Sequence, residues 1–259
     1  MSEESDFILV EEHGWRMGLS NMVRKEFTAW FGSSAWWKQA LIWSVVLTFI
    51  VIGGAVADPE IGIIMFVLMG SIFMTIATII ASQEFILEEK RTGSVAWVLS
   101  KPLSRTAFII AKLFPNAINL IVSIVFIPGV VVFSIMYVIS GGVTPFTFFL
   151  ALVPLALWVI FLEFFTICLG TFFEKEGEVM GPPFFLMLLL YQLGPMQYIG
   201  ELSPFGLVVL AQYYIGGLNS PMTFTPSAAF PIGTSMIATL VIIALLTAIS
   251  LWRFNREEF

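Results

Sequence analysis

Six apolar runs, each about long enough to cross a hydrocarbon core, leave this 259-residue chain few ways to fold. They fall at about 40–57, 61–81, 108–140, 146–173, 179–199 and 232–252. About 20 residues of helix cross the roughly 30 Å bilayer interior. The runs are too long for barrel strands, and a helix satisfies its own backbone polar groups inside lipid, so the spans are helical. With 58% hydrophobic and 12% charged residues, the chain has too few polar groups to cover the surface of a soluble domain. The expected fold is an all-α integral membrane protein with six transmembrane helices.

The cations orient these spans. With the N-terminus in the cytoplasm, Arg16, Arg24, Lys25 and Lys38 lie inside. So do Lys90, Arg91, Lys101, Arg105 and Lys112 in the second loop, then Lys175, Arg253 and Arg256, and these are all 12 of the chain's Lys and Arg. The outer loops, Asp58–Glu60, Gly141–Pro145 and Gly200–Pro231, carry only Asp58, Glu60 and Glu201. Six spans with both ends inside satisfy the positive-inside rule without exception, and five or seven spans would break it.

Residues 1–14 form an acidic tail expected to stay solvated, and they lack the basic start and apolar core of a cleavable signal peptide. The net charge of −6 gives no nucleic-acid signature. One cysteine, Cys168, and one histidine, His13, rule out an internal disulfide and give no His/Cys metal site. From 15 to 38, Trp15, Leu19, Met22, Val23, Phe27, Trp30 and Phe31 fall near one helical face, with Arg16, Ser20, Arg24, Lys25 and Thr28 near the other. This pattern predicts an interfacial helix, with Trp36, Trp37 and Lys38 anchoring the turn into the first span; the plainer reading is a helix packed on the other spans.

The loop at 82–107 is the most informative polar segment. Gln83–Arg91 is expected to extend the second span as a helix, with Thr92-Gly93 ending it in the usual glycine fashion. Ser94–Leu99 reads as a short helix with Val95, Val98 and Leu99 on one side. Lys101-Pro102 breaks it, because proline lacks an amide donor and restricts the residue before it. Ser104 or Thr106 can then cap the helix that enters the third span.

This loop resembles that of the permease subunits of ABC-2 type transporters. The likeness rests on Glu84, the Thr92-Gly93 pair, the run Leu99-Ser100-Lys101-Pro102-Leu103-Ser104-Arg105, and Lys112 at the entry to the third span. It extends to the amphipathic helix, the six spans, an outer segment at 200–231 containing Ser203-Pro204, and a last span ending Trp252-Arg253-Phe254. Together these cover the chain from about Trp15 onward, as a single domain at 15–259. The resemblance implies a type V exporter-like permease fold in a prokaryotic plasma membrane. Two permeases would pair, as a homodimer or a closely related heterodimer, with the first and fifth spans nearest the partner. Two cytoplasmic ABC ATPase subunits would dock beneath them. Glu84, Glu88, Thr92, Gly93, Val95, Val98, Leu99, Lys101, Pro102 and Arg105 would form the coupling element. ATP and Mg2+ would belong to the ATPase and this chain would carry no cofactor, in line with the lack of a G-x-x-x-x-G-K-[ST] phosphate cradle in the sequence.

Within the spans, Glu163 is the ionisable residue that demands a reason, either as a structural carboxyl bonded to a hydroxyl such as that of Thr166 or as part of a substrate path. Tyr191 and Gln192 are candidates for the same path. Pro128-Gly129, Pro154 and Gly181-Pro182-Pro183 are candidate kinks, and the Pro-, Gly- and aromatic-rich outer segment is a candidate gate built from re-entrant helices. A membrane enzyme is disfavoured, because no serine–histidine pair, H-E-x-x-H or paired intramembrane aspartates occur. An ATPase-driven scaffold and a secondary transporter remain alternatives. Scarce intramembrane charge points to an amphiphilic substrate, and the transport direction leans to export.

Overall fold

The computed structural model describes residues 14–56, 58–92, 103–140, 144–193, 200, 202–216 and 233–256. The regular elements among them are all helical: α1 (Leu19–Phe31), α2 (Ala35–Ala55), α3 (Pro59–Arg91), α4 (Arg105–Leu120), a π-helical stretch (Ile121–Phe126), α5 (Ile127–Ser140), α6 (Pro145–Phe172), α7 (Glu176–Leu193), α8 (Gly206–Gly216) and α9 (Thr234–Arg256), after a 3-10 turn at Gly14–Arg16.

Among the described residues, five helical stretches are long and apolar enough to cross a membrane: Ala35–Ala55, Ile61–Phe85, Arg105–Ile139, Pro145–Phe172 and Thr234–Arg256. The stretch read as a fifth span of six corresponds to α7, which has 18 residues with Glu176, Glu178, Pro182 and Pro183 in its first turns. Those polar and proline positions keep it out of the group of five. The last part of that expected span, 194–199, lies outside the described residues, as do residues 1–13 of the acidic tail and half of the outer segment, at 201 and 217–231.

The third span is one helix through α4, the π stretch and α5. Its wide turn has a local cause: Pro128 has no N–H to offer the carbonyl of Ile124, and its ring crowds that carbonyl, so the backbone opens just before it. Immediately beyond, Gly129 lies so close to α6 that an added Cβ would come within 2.8 Å of Leu152 Cδ1. Pro154 and Pro182-Pro183 sit inside continuous helices.

The core is centred on α6, whose Trp158, Phe148, Leu155 and Val159 are fully buried. It packs against α3, α8 and α9. The α3 and α6 helices run parallel: Trp158 Nε1–H donates to Thr75 Oγ1 at 2.9 Å, and Lys90 Nζ donates to the Thr171 carbonyl at 3.2 Å, pairings 83 and 81 residues apart. The α2 and α3 helices are antiparallel and cross tightly where Gly62 meets Ala55. Helix α8, within the described part of the outer segment, is mostly buried, with Leu207, Val208 and Ala211 in the core.

Helix α1 lies against the start of α4. Leu19, Met22 and Val23 pack with Phe108, Ile109 and Phe254, while Ser20, Arg24, Lys25 and Thr28 are exposed. Trp15 and Phe31, expected on the apolar face, are both about half exposed, at 51% and 50%.

Candidate functional site

Two tethered clusters flank the loop between α3 and α4. On the upstream side, α3 continues past the apolar region to Arg91, and Thr92 closes it by bonding the Glu88 carbonyl through both its amide (3.0 Å) and its hydroxyl (2.8 Å). Lys90 reaches the Thr171 carbonyl at the end of α6, and Arg91 pairs with Glu176 of α7 at 2.6 Å. This side is therefore fastened to the α6–α7 corner.

The downstream side is fastened elsewhere. Ser104 caps α4 by accepting from the Ala107 amide at 3.0 Å, so the expected serine cap is present. The Ser104 hydroxyl also donates to the Trp15 carbonyl, and its amide donates to the Met17 carbonyl at 3.0 Å. Arg105 donates to the carbonyls of Phe254 (3.4 Å) and Asn255 (3.0 Å) at the end of α9. One turn on, the rings of Phe108 and Phe254 stack at 5.2 Å. The Lys112 Nζ lies 2.9 Å from Glu26 of α1.

Of the ten expected coupling residues, Glu84, Glu88, Thr92 and Arg105 are described. Gly93, Val95, Val98, Leu99, Lys101 and Pro102 lie outside the described residues. Glu84, Glu88 and Thr92 come together, with Arg91 and Glu176, around a cleft of about 490 Å³ beside the loop. Arg105 belongs to the opposite cluster.

The sequence sets Lys112 among the inner cations at the entry to the third span, and Glu163 as the ionisable residue inside the spans. In the structure Lys112 is only 5% exposed. It starts a buried polar stripe, Lys112, Asn116, Asn119 and Ser123, spaced four, three and four along one side of the third span. Asn116 Nδ2 donates to the Lys112 carbonyl (2.6 Å) and Ser123 Oγ to the Asn119 carbonyl (2.9 Å). A signal was present: Glu26 falls on the Leu19, Met22, Val23, Phe27, Trp30 stripe of α1, where a carboxylate requires a cation.

Glu163 is fully buried, and neither carboxyl oxygen has a hydrogen-bond partner among the described residues. The Thr166 hydroxyl donates instead to the Leu162 carbonyl at 2.8 Å. Because Phe114 meets Phe164 edge-on at 6.3 Å, Asn116 lies within about a turn of Glu163 in height. Tyr191 is far from this level. Its hydroxyl bonds Ser71, one turn before Thr75 on α3, which puts Tyr191 about 13 Å from Glu163 along the bundle axis. Gln192 is exposed. The three expected path residues are therefore not gathered at one site.

Comparison with curated proteins finds no match. A family model described as ABC-2 family transporter protein matches residues 16–259. The match takes in both tethered clusters, the buried stripe and all five apolar spans, so the chain belongs to the ABC-2 family of transporter proteins.

Proposed function

We propose that this chain is the permease subunit of an ABC exporter, and that the segment at 93–102 passes the motion of a separate ATP-binding subunit into the bundle. The observation that carries this reading is the unequal anchoring of the loop. Its upstream side is tied to the α6–α7 corner through Lys90–Thr171 and Arg91–Glu176. Its downstream side is tied to α1 and α9 through Ser104, Arg105 and Lys112. A push on a segment fixed at both sides to different helices shifts those helices against each other, which is what alternating access requires.

In this reading six spans cross the membrane, α7 with the residues that follow it being the fifth, and both termini lie in the cytoplasm. Helix α1 lies at the cytoplasmic interface with Arg24 and Lys25 facing headgroups. Two copies of the permease, or a copy and a close relative, pair above two ATPases that bind ATP and Mg2+. Glu163, level with the polar stripe of the third span, faces the translocation path of an amphiphilic substrate.

Docking depends on apolar anchors more than on rim charges. Val98→Asp with Leu99→Asp puts two charges in a desolvated contact and is expected to abolish co-purification of the ATPase while membrane insertion stays normal. Wild-type docking and ATP-dependent transport by this double variant would reduce the loop to a connector and sink the proposal.

A further inference from the structure

We infer that the cleft between α2 and α5 is a seat for one acyl chain of an anionic phospholipid, drawn from the leaflet at the Trp36 end of α2. The cleft encloses about 560 Å³. Leu41, Val45 and Phe49 form one wall and Ile127, Val131 and Ile135 the other. Ser44, also in the wall, has its hydroxyl turned onto the Ala40 carbonyl at 2.7 Å, which removes its polarity from the cleft.

Length and position select the occupant. From Trp36 to Phe49 is 13 residue steps, or about 20 Å of helix, enough to take a tail from the headgroup boundary past the middle of a core roughly 30 Å thick. At the boundary end the cleft is closed by Trp36 and Trp37, the residue type that settles at the headgroup level. Trp36 is a fixed post, since its ring packs on Trp30 (6.1 Å) and Phe31 (5.9 Å) of α1. Lys38 is exposed beside it, with Nζ 5.9 Å from the centre of the Trp37 ring. An apolar slot with a cation at the headgroup level suits an anionic lipid better than a zwitterionic one. A second copy of the chain is the competing occupant, since the family resemblance sets the first span near the partner permease. Lys38, exposed at the mouth and with no carboxylate partner among the described residues, offers an anionic headgroup a contact that an apolar helix face would leave unused.

The test uses the full chain in nanodiscs of mixed phosphatidylglycerol and phosphatidylcholine, with the lipids retained on gentle release counted by native mass spectrometry. Wild type is expected to retain phosphatidylglycerol preferentially. Lys38→Gln is expected to lower that preference about fivefold, the effect of removing one cation near the surface. Val45→Phe and Val131→Phe, which fill the slot from opposite walls, are each expected to lose the retained lipid; having both guards against one failing to fold. Retention unchanged in both fillers overturns the acyl seat, and unchanged preference in Lys38→Gln overturns the anionic headgroup. Val45→Cys reports on the rival occupant, because the single native cysteine, Cys168, is buried. Covalent dimers formed through position 45 on mild oxidation would assign the cleft to a second copy and overturn the lipid.

Discussion

Lys112 Nζ and a carboxylate oxygen of Glu26 lie 2.9 Å apart, with the two side chains only 6% and 12% exposed. The pair joins α1 to α4 within the tethered cluster that also holds Ser104 and Arg105. Little water reaches it, so bulk salt screens it weakly.

Breaking it from one side is expected to cost more than removing it whole. Glu26→Gln takes a countercharge at 2.9 Å from a buried ammonium, and Lys112→Met takes the nearer cation from Glu26, which keeps Lys25 at 3.8 Å. Losing one partner of a buried pair costs up to about 3–5 kcal/mol. The combination Glu26→Gln with Lys112→Met is expected to lose less than the two single variants added together. Thermal unfolding of the four purified proteins at low and high salt checks this; strictly additive losses would contradict the account.

Much of the fold was legible because lipid imposes one rule on every span. Five of the six expected spans are long apolar helices, and α3 runs on as helix through Gln83–Arg91, ending at Thr92. The Ser104 cap was readable because a serine follows the proline break and stands directly before a helical run. What escaped is what depends on contact between distant segments. A lysine at the entry to a span looks the same whether it meets solvent or Glu26, 86 positions earlier. The widened turn at Ile121–Phe126 was half legible, since Pro128 marks a disturbance but not its form. The heights of Glu163 and Tyr191, about 13 Å apart along the bundle, depend on how α3, α6 and α7 are set against one another, which no single segment encodes.

Two glycines make opposite forecasts. A Cβ on Gly62 would sit 2.8 Å from Ala55 Cβ and 3.1 Å from its backbone, which cannot rotate away. Small residues at such a crossing let helices approach closely, so Gly62→Ala should cost about 1–3 kcal/mol through overpacking. At Gly129 the obstacle is the end of the Leu152 side chain, which can change rotamer, so Gly129→Ala should cost less. Melting temperatures of the two variants decide it, and a reversed order would refute the packing argument.

The Trp158 indole N–H donates to Thr75 Oγ1 at 2.9 Å in the fully buried centre of the α3–α6 contact, and the Thr75 hydroxyl itself donates to the Ser71 carbonyl. Thr75→Val keeps the shape but orphans the indole donor, a loss of about 1–3 kcal/mol. Thr75→Ser retains the acceptor and should remain near wild type. If valine and serine prove equally tolerated, the bond contributes nothing to holding the two helices in register.

Glu163 reverses the usual expectation for a buried ionisable group. Removing a partnered carboxylate strands its partner, but no described residue bonds either Glu163 oxygen, so substitution strands nothing. Replacing a lone buried polar group with an apolar one of similar size is neutral or stabilising. Glu163→Met should therefore melt no lower than wild type, and Glu163→Gln close to it. A buried carboxyl that no described residue bonds fits the proposed place of Glu163 on the path, since intramembrane carboxyls are usually functional. Both variants are accordingly expected to insert normally, bind the ATPase and lose most substrate-dependent transport in reconstituted vesicles. A lower melting temperature in both variants with transport per folded molecule intact would make Glu163 structural and remove it from the proposed path.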